Sequence, residues 1–114
     1  MRALLIAIAA FALCGHAAAA GNAAKGKAMA EKKINNQACA DCHGATGDAP
    51  KEKDQPILAG QYADYIARAL LDYKSGKRVN AVMNGVAKDL SKGDIEDLAA
   101  WFASQKSQKL HFQR

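Results

Sequence analysis

The sequence predicts an all-α fold. Apolar residues recur at helical spacing in two long segments, capping residues bracket those segments, and no sustained two-residue alternation suggests a strand. A chain of 114 residues supports one domain and leaves no room for a second.

The first element is not expected to belong to that domain. Met1 and Arg2 give a short positive start, residues 3–14 form an uncharged apolar run, and Ala18-Ala19-Ala20 supplies small residues before Gly21. This is the layout of a cleaved secretory signal peptide over residues 1–20. The apolar run is shorter than the roughly 20 residues that span a bilayer, so no transmembrane anchor is expected after cleavage. Cys14 follows Leu13, which is too bulky for the cleavage that precedes a lipid-modified cysteine, and is read as part of the discarded segment.

The domain itself is expected over residues 21–105. Residues 22–34 are rich in Ala and Lys and read as a helix capped by Asn22. Gly26 inside it costs about 1 kcal/mol relative to Ala, so a packing reason is expected there. Asn35-Asn36 interrupts the pattern, and a short segment with two cysteines follows. Residues 44–60 carry three glycines, two prolines and several charges without apolar period, as a loop wrapped around something would.

Residues 61–75 form the clearest amphipathic helix, with Tyr62, Ile66, Ala69, Leu70 and Tyr73 at helical spacing. Gly76 stands where a left-handed C-terminal cap belongs. A loop and a helical turn containing Met83 run to Leu90. Ser91 and Asp94 match a capping box, opening a last helix to about Gln105 with Ile95, Leu98, Ala99 and Phe102 on one face. Residues 106–114 read as a polar, mobile tail.

Composition narrows the chemistry. Loss of Arg2 with the leader lowers the formal charge from +5 to +4. The lysines are scattered and no aromatics interleave with them, which argues against nucleic acid. A chain this short buries a modest core, and this one is aromatic-poor, with three Phe, three Tyr and one Trp. A buried planar cofactor could supply the missing apolar volume. Cys39 and Cys42 are too close together to staple distant parts of an exported chain, so they are expected to do chemistry locally.

Cys39-Ala40-Asp41-Cys42-His43 is the C-x-x-C-H haem-attachment signature. Residues three apart share a face of a helical turn, so both thiols can add to the two porphyrin vinyl groups. His43, the next residue, then projects an imidazole beneath the iron. A zinc site needs two more ligands, and only His111 in the tail is left over. A thioredoxin-like pair follows a strand in an α/β pattern, which is absent here.

The sixth ligand decides what such an iron can do. With both axial positions filled by protein, only an electron passes. Met29 lies on the first helix and suits core packing, whereas Met83 lies forty residues beyond His43, in the non-periodic stretch. That separation allows the chain to cross the haem edge and return on the opposite face, so Met83 is the favoured ligand.

The chain resembles class I bacterial c-type cytochromes of the short monohaem type that includes the c5 and c553 groups. The resemblance rests on the Gly-bearing first helix, the Cys39–His43 signature followed by Gly44, Pro56-Ile57-Leu58-Ala59-Gly60-Gln61, Met83, Leu90-Ser91 and Asp97-Leu98-Ala99-Ala100-Trp101-Phe102. It implies a class I cytochrome c fold, three main helices plus short helical turns around one covalent haem c. It also implies that Gly26 packs against the Leu98/Trp101 region and that the Pro56 carbonyl accepts the other ring N–H of His43. Arg78 is implied to contact a haem propionate.

The function expected is a periplasmic, monomeric one-electron carrier between exported or membrane-bound redox partners, not an enzyme. Leu58, Ile66, Leu70 and Trp101 would line its apolar pocket. Lys51, Lys53, Lys74, Lys77 and Lys88 would surround the exposed haem edge and meet acidic patches on donor and acceptor. Two alternatives stay open: a haem subunit of a larger dehydrogenase, and an open-site cytochrome that binds small ligands or reacts with peroxide. The early position of the haem motif argues against the four-helix cytochromes c′.

Overall fold

A computed structural model describes residues 21–107, which form five helices: α1 (Ala23–Glu31), α2 (Cys39–His43), α3 (Ala63–Ser75), α4 (Ala81–Ala87) and α5 (Lys92–Ser104). No strand occurs among the described residues, whose only pairing of extended backbone is an isolated antiparallel bridge between Ile34 and Gln37. The expected leader over 1–20, with Cys14, lies outside the described residues, as do residues 108–114 of the expected tail, with His111. Ser107, at the start of that tail, donates its Oγ–H to the Asp48 carboxylate at 2.6 Å.

Helix α1 begins as its cap predicts. The Asn22 side chain accepts from Lys25 N at 2.9 Å, while the Asn22 N–H donates to the Asp97 carboxylate at 2.6 Å and so ties α1 to α5. The helix ends at Glu31, three residues before the expected boundary. Reciprocal bonds between Ile34 and Gln37, 2.8 and 3.1 Å, close a tight turn there. Its centre is Asn35 and Asn36, at φ 50° and 65°. Two successive left-handed residues are what a type I′ turn requires, and Asn tolerates that conformation better than most side chains.

The last helix is the spine of the core. Ser91 Oγ accepts from Asp94 N at 3.0 Å and Asp94 Oδ2 accepts from Ser91 N at 2.9 Å, forming the expected capping box. One turn later the chain is buried: Ile95 and Leu98 are 1 % exposed, Ala99 and Phe102 2 %. Leu90, Ile66 and Leu70 join them from the preceding segment and from α3. Full burial of a large aliphatic or aromatic side chain stabilises by about 1.5–3 kcal/mol, so these few residues carry much of the apolar driving force.

The glycine in α1 has its packing reason. A Cβ at Gly26 would run into the Asp97 carbonyl and stand 2.8 Å from Trp101 Cβ. Only the absence of a side chain lets α1 and α5 approach this closely. Helix α3 buries Ile66 and Leu70 and stops at Gly76, left-handed at φ 81°. Tyr62, expected on its apolar face, stands at the N-cap and is half exposed, because the helix starts one residue after it.

The stretch over 44–60 is a folded loop laid on the end of α5. Gly47, at φ 80°, sits under the Phe102 ring, and its carbonyl accepts from Leu58 N at 2.8 Å and Ala59 N at 3.1 Å. Gly60 N then donates to the Phe102 carbonyl at 2.9 Å. These anchors fix the path of Pro56 and Leu58.

Candidate functional site

Helix α2 is a single turn, too short to be stable alone, and is held by bonds from outside. The Asp41 carboxylate accepts from the Ala38 N–H at 3.0 Å at the start of the turn and from Lys33 Nζ at 2.9 Å. The Ala38 N–H and the Lys33 charge hold the Asp41 carboxyl below its ordinary range. At the other end Lys51 N donates to the Cys42 carbonyl at 2.9 Å, and Ala49 N to the His43 carbonyl at 3.3 Å. Gly44 follows at φ 88°, so the chain turns away at once after the imidazole.

Within that turn, Cys39 and Cys42 are three positions apart on one helical face, and neither is in a disulfide. Burial pushes the Cys39 thiol up to about 11, which keeps it neutral. His43 is 6 % exposed, the only polar residue among the buried described residues. Its Nδ1 lies 2.8 Å from the Pro56 carbonyl. A carbonyl can only accept, so Nδ1 carries the proton and Nε2 keeps its lone pair. Burial holds the imidazole pKa below its ordinary value, with the Pro56 bond acting in the other direction. The neutral, Nδ1-protonated tautomer is the one an iron ligand needs.

Met83 stands in the first turn of α4, half buried against the same core that Cys39 borders. Asn80 caps this turn, its Oδ1 accepting from Val82 N at 3.1 Å and Met83 N at 3.0 Å. Asn84 ties the turn to its surroundings. Its amide donates to the Tyr73 carbonyl at 2.7 Å and the Arg78 carbonyl at 2.9 Å, and its Oδ1 accepts from Asn80 N at 2.7 Å. Met29, the rival sulfur, also touches the core but lines a surface groove with Lys25, Ala28, Lys32, Asp94 and Asp97, between α1 and α5.

Arg78 is exposed, its guanidinium 4.9 Å from the centre of the Tyr73 ring. Lys74 donates to the Lys88 carbonyl at 2.8 Å and the Leu90 carbonyl at 2.7 Å. Its ammonium keeps its charge at an exposed position while it is tethered to the backbone that follows α4. Asn80 could have been found from its position before a short apolar segment. No local pattern marks Asn84 or the tertiary role of Lys74.

The residues present fit a covalently attached haem. Two thiols on one face, a buried imidazole with a free lone pair on Nε2, and a thioether on the same core are soft and borderline donors suited to iron porphyrin. No cluster of three or more His, Cys, Asp or Glu that could hold a bare metal ion exists among the described residues.

Comparison with known proteins agrees. A family model for cytochrome c matches residues 23–106. Cytochrome c4 of Pseudomonas aeruginosa is 45% identical over 94 residues, covering 82% of this chain and 43% of that protein. The solved cytochrome c4 of Acidithiobacillus ferrooxidans superposes with a TM-score of 0.68 at 35% identity, covering 75% of this chain and 51% of that one. A chain of thiosulfate dehydrogenase from Marichromatium purpuratum gives a TM-score of 0.68 at 32% identity over 75% of this chain and 20% of its own length. The chain thus spans about half of the cytochrome c4 proteins it matches.

Proposed function

Because the chain belongs to the cytochrome c family, we propose that it is a monohaem one-electron carrier, attached to haem c through Cys39 and Cys42 and ligated by His43 and Met83. The observation that carries this reading is the one-turn helix in which both thiols precede a buried imidazole whose Nδ1–H is held by the Pro56 carbonyl at 2.8 Å. One haem follows from one C-x-x-C-H signature, since the only other cysteine is Cys14. Bound haem supplies an iron centre that gains and loses one electron.

The chain's own residues would tune that exchange. The neutral imidazole of His43 and the thioether of Met83 both favour the lower iron charge, and Met/His donor pairs go with high potentials. Buried Ile66 and Leu70, with Leu58 packed against the core, would disfavour the more charged oxidised state. The cap at Asn80 and the clamp at Asn84 hold the Met83 turn in one place, so little rearranges as the electron moves. The reading is of a carrier and not an enzyme.

The reading extends to the whole chain. Residues 1–20 act as a cleaved export leader, 21–105 as the haem domain and 106–114 as a polar tail, with the mature protein a periplasmic monomer. No helix among the described residues is long and apolar enough to cross a membrane. Donor and acceptor are redox proteins with acidic patches that meet Lys51, Lys53, Lys77 and Lys88, all on exposed segments. Arg78 is proposed to reach a propionate.

Optical spectra in both redox states, with and without CO, test this reading. A low-spin spectrum with a weak far-red ferric band from sulfur ligation and no response to CO supports it. A high-spin spectrum that changes with CO gives an open site. The similarity to a thiosulfate dehydrogenase chain favours one second reading, a haem subunit serving a single enzyme. Co-purification of a larger complex from the native host would select that reading.

A further inference from the structure

Asn35 does more than make the tight turn before the haem-attachment helix. Its amide nitrogen carries two hydrogens, and both are used on α4 and the residues just after it. Asn35 Nδ2 donates to the Gly85 carbonyl at 2.7 Å, fifty residues away, and to the Asp89 carboxylate at 2.9 Å. Gly85 is among the last four residues of α4, whose carbonyls have no partner within their own helix. The bond to Asp89 is charge-assisted and therefore stronger than a neutral one.

The left-handed backbone at φ 50° aims this side chain, and the reciprocal Ile34–Gln37 bonds keep it aimed. The turn continues within two residues into α2, and Gly85 stands two residues after Met83. One side chain therefore joins the segment that enters the cysteine turn to the helix that carries the sulfur.

We propose that Asn35 is a positioning residue for the sulfur ligand: by clamping the Gly85 carbonyl and Asp89 it holds α4, and with it Met83, in the place from which the thioether reaches iron. This rests on Met83 being that ligand. Asn84 fixes the first turn of α4 to α3 and its loop, and Asn35 fixes the far end to the attachment side. Displacement of Met83 by movement of α4 must break the clamp, whereas rotation of the methionine side chain alone would not.

The test is displacement of the sulfur by added imidazole in the ferric holoprotein, followed at the far-red sulfur band. Imidazole binds only the fraction of molecules in which Met83 has left, so its apparent affinity counts that fraction. Asn35→Gly removes the amide while keeping the left-handed backbone without steric strain. It should raise the apparent imidazole affinity about fivefold, within the range expected for two lost hydrogen bonds. Asp89→Ala, which leaves the Gly85 bond but removes the stronger one, should raise it about threefold. Asn36→Gly, at the neighbouring left-handed position, should leave it at the wild-type value.

Wild-type affinity in Asn35→Gly, or an equal rise in Asn36→Gly, would overturn the proposal. A wild-type protein without the sulfur band would instead remove Met83 as ligand, and the positioning role would fall with it. The two failures are separated by the wild-type spectrum alone.

Discussion

The ring N–H of His43 donates to the carbonyl of Pro56, thirteen residues on, at 2.8 Å. The acceptor is backbone, so it depends on the path of the loop and not on a side chain. That path is set where the loop lies on α5, with Gly47 under Phe102 and Gly60 N bonded to the Phe102 carbonyl. The orientation of the imidazole is thus coupled to the packing of α5.

The two methionines should separate cleanly. Met83→Ala is expected to abolish the far-red ferric band and lower the potential, because the soft donor that favours Fe(II) is gone. Met29→Ala should keep both and cost about 2 kcal/mol of stability, the low end for truncating a core methionine, since Met29 is only partly buried. Absorbance and potentiometric titration of the two variants check this.

Gly26→Ala should be among the most damaging single methyl additions to the domain. The new Cβ meets the Asp97 carbonyl and Trp101 Cβ, neither of which can move without shifting α5. A loss of about 3 kcal/mol is expected in guanidinium unfolding of the holoprotein, the upper range for overpacking. Gly85→Ala, where an added Cβ meets nothing within 4 Å, serves as the matched control.

The capping box of α5 carries a pH signature. The Ser91 N–H and hydroxyl hold the Asp94 carboxyl below the ordinary aspartate range. A depressed carboxylate adds stability that is present above its unfolded pKa, about 4, and is lost as pH falls through the lower folded value. Asp94→Asn should therefore be less stable than wild type at pH 6 and converge with it in acid. Ser91→Ala should cost about 1 kcal/mol near neutrality. Persistence of the full Asp94→Asn gap at pH 2 in denaturant titrations would contradict the assignment.

Lys74 and Lys77 should differ in what their loss does to stability. Lys74→Met removes the donor to the Lys88 and Leu90 carbonyls and should cost about 1–2 kcal/mol. Lys77→Glu should leave stability within about 0.5 kcal/mol, as surface substitutions usually do. It should also flatten the fall of the bimolecular rate with ionic strength. Unfolding curves and stopped-flow rates over a salt series distinguish the two.

The attachment signature, the capping box and the apolar face of α5 were legible in the residues alone, because each is a local pattern. A thiol pair and an imidazole within five residues, a hydroxyl three residues before a carboxylate, and four apolar residues on one helical face need no knowledge of the rest of the chain. The boundary of α1 was less legible. Propensity carried the helix to Ile34, whereas the left-handed pair Asn35 and Asn36 ended it earlier by making a turn.

The sequence by itself determined that this chain is helical and that it belongs with the c-type cytochromes, and it nominated Cys39, Cys42, His43 and Met83 to hold the group. Only the tertiary structure decided which backbone carbonyls those residues and their neighbours meet. Pro56 under His43, Gly85 under Asn35, and Lys88 and Leu90 under Lys74 are pairings across 13 to 50 residues. Every residue but proline has the same amide and carbonyl, so no side-chain pattern marks which carbonyl accepts, and the packed core selects it by bringing the two segments together.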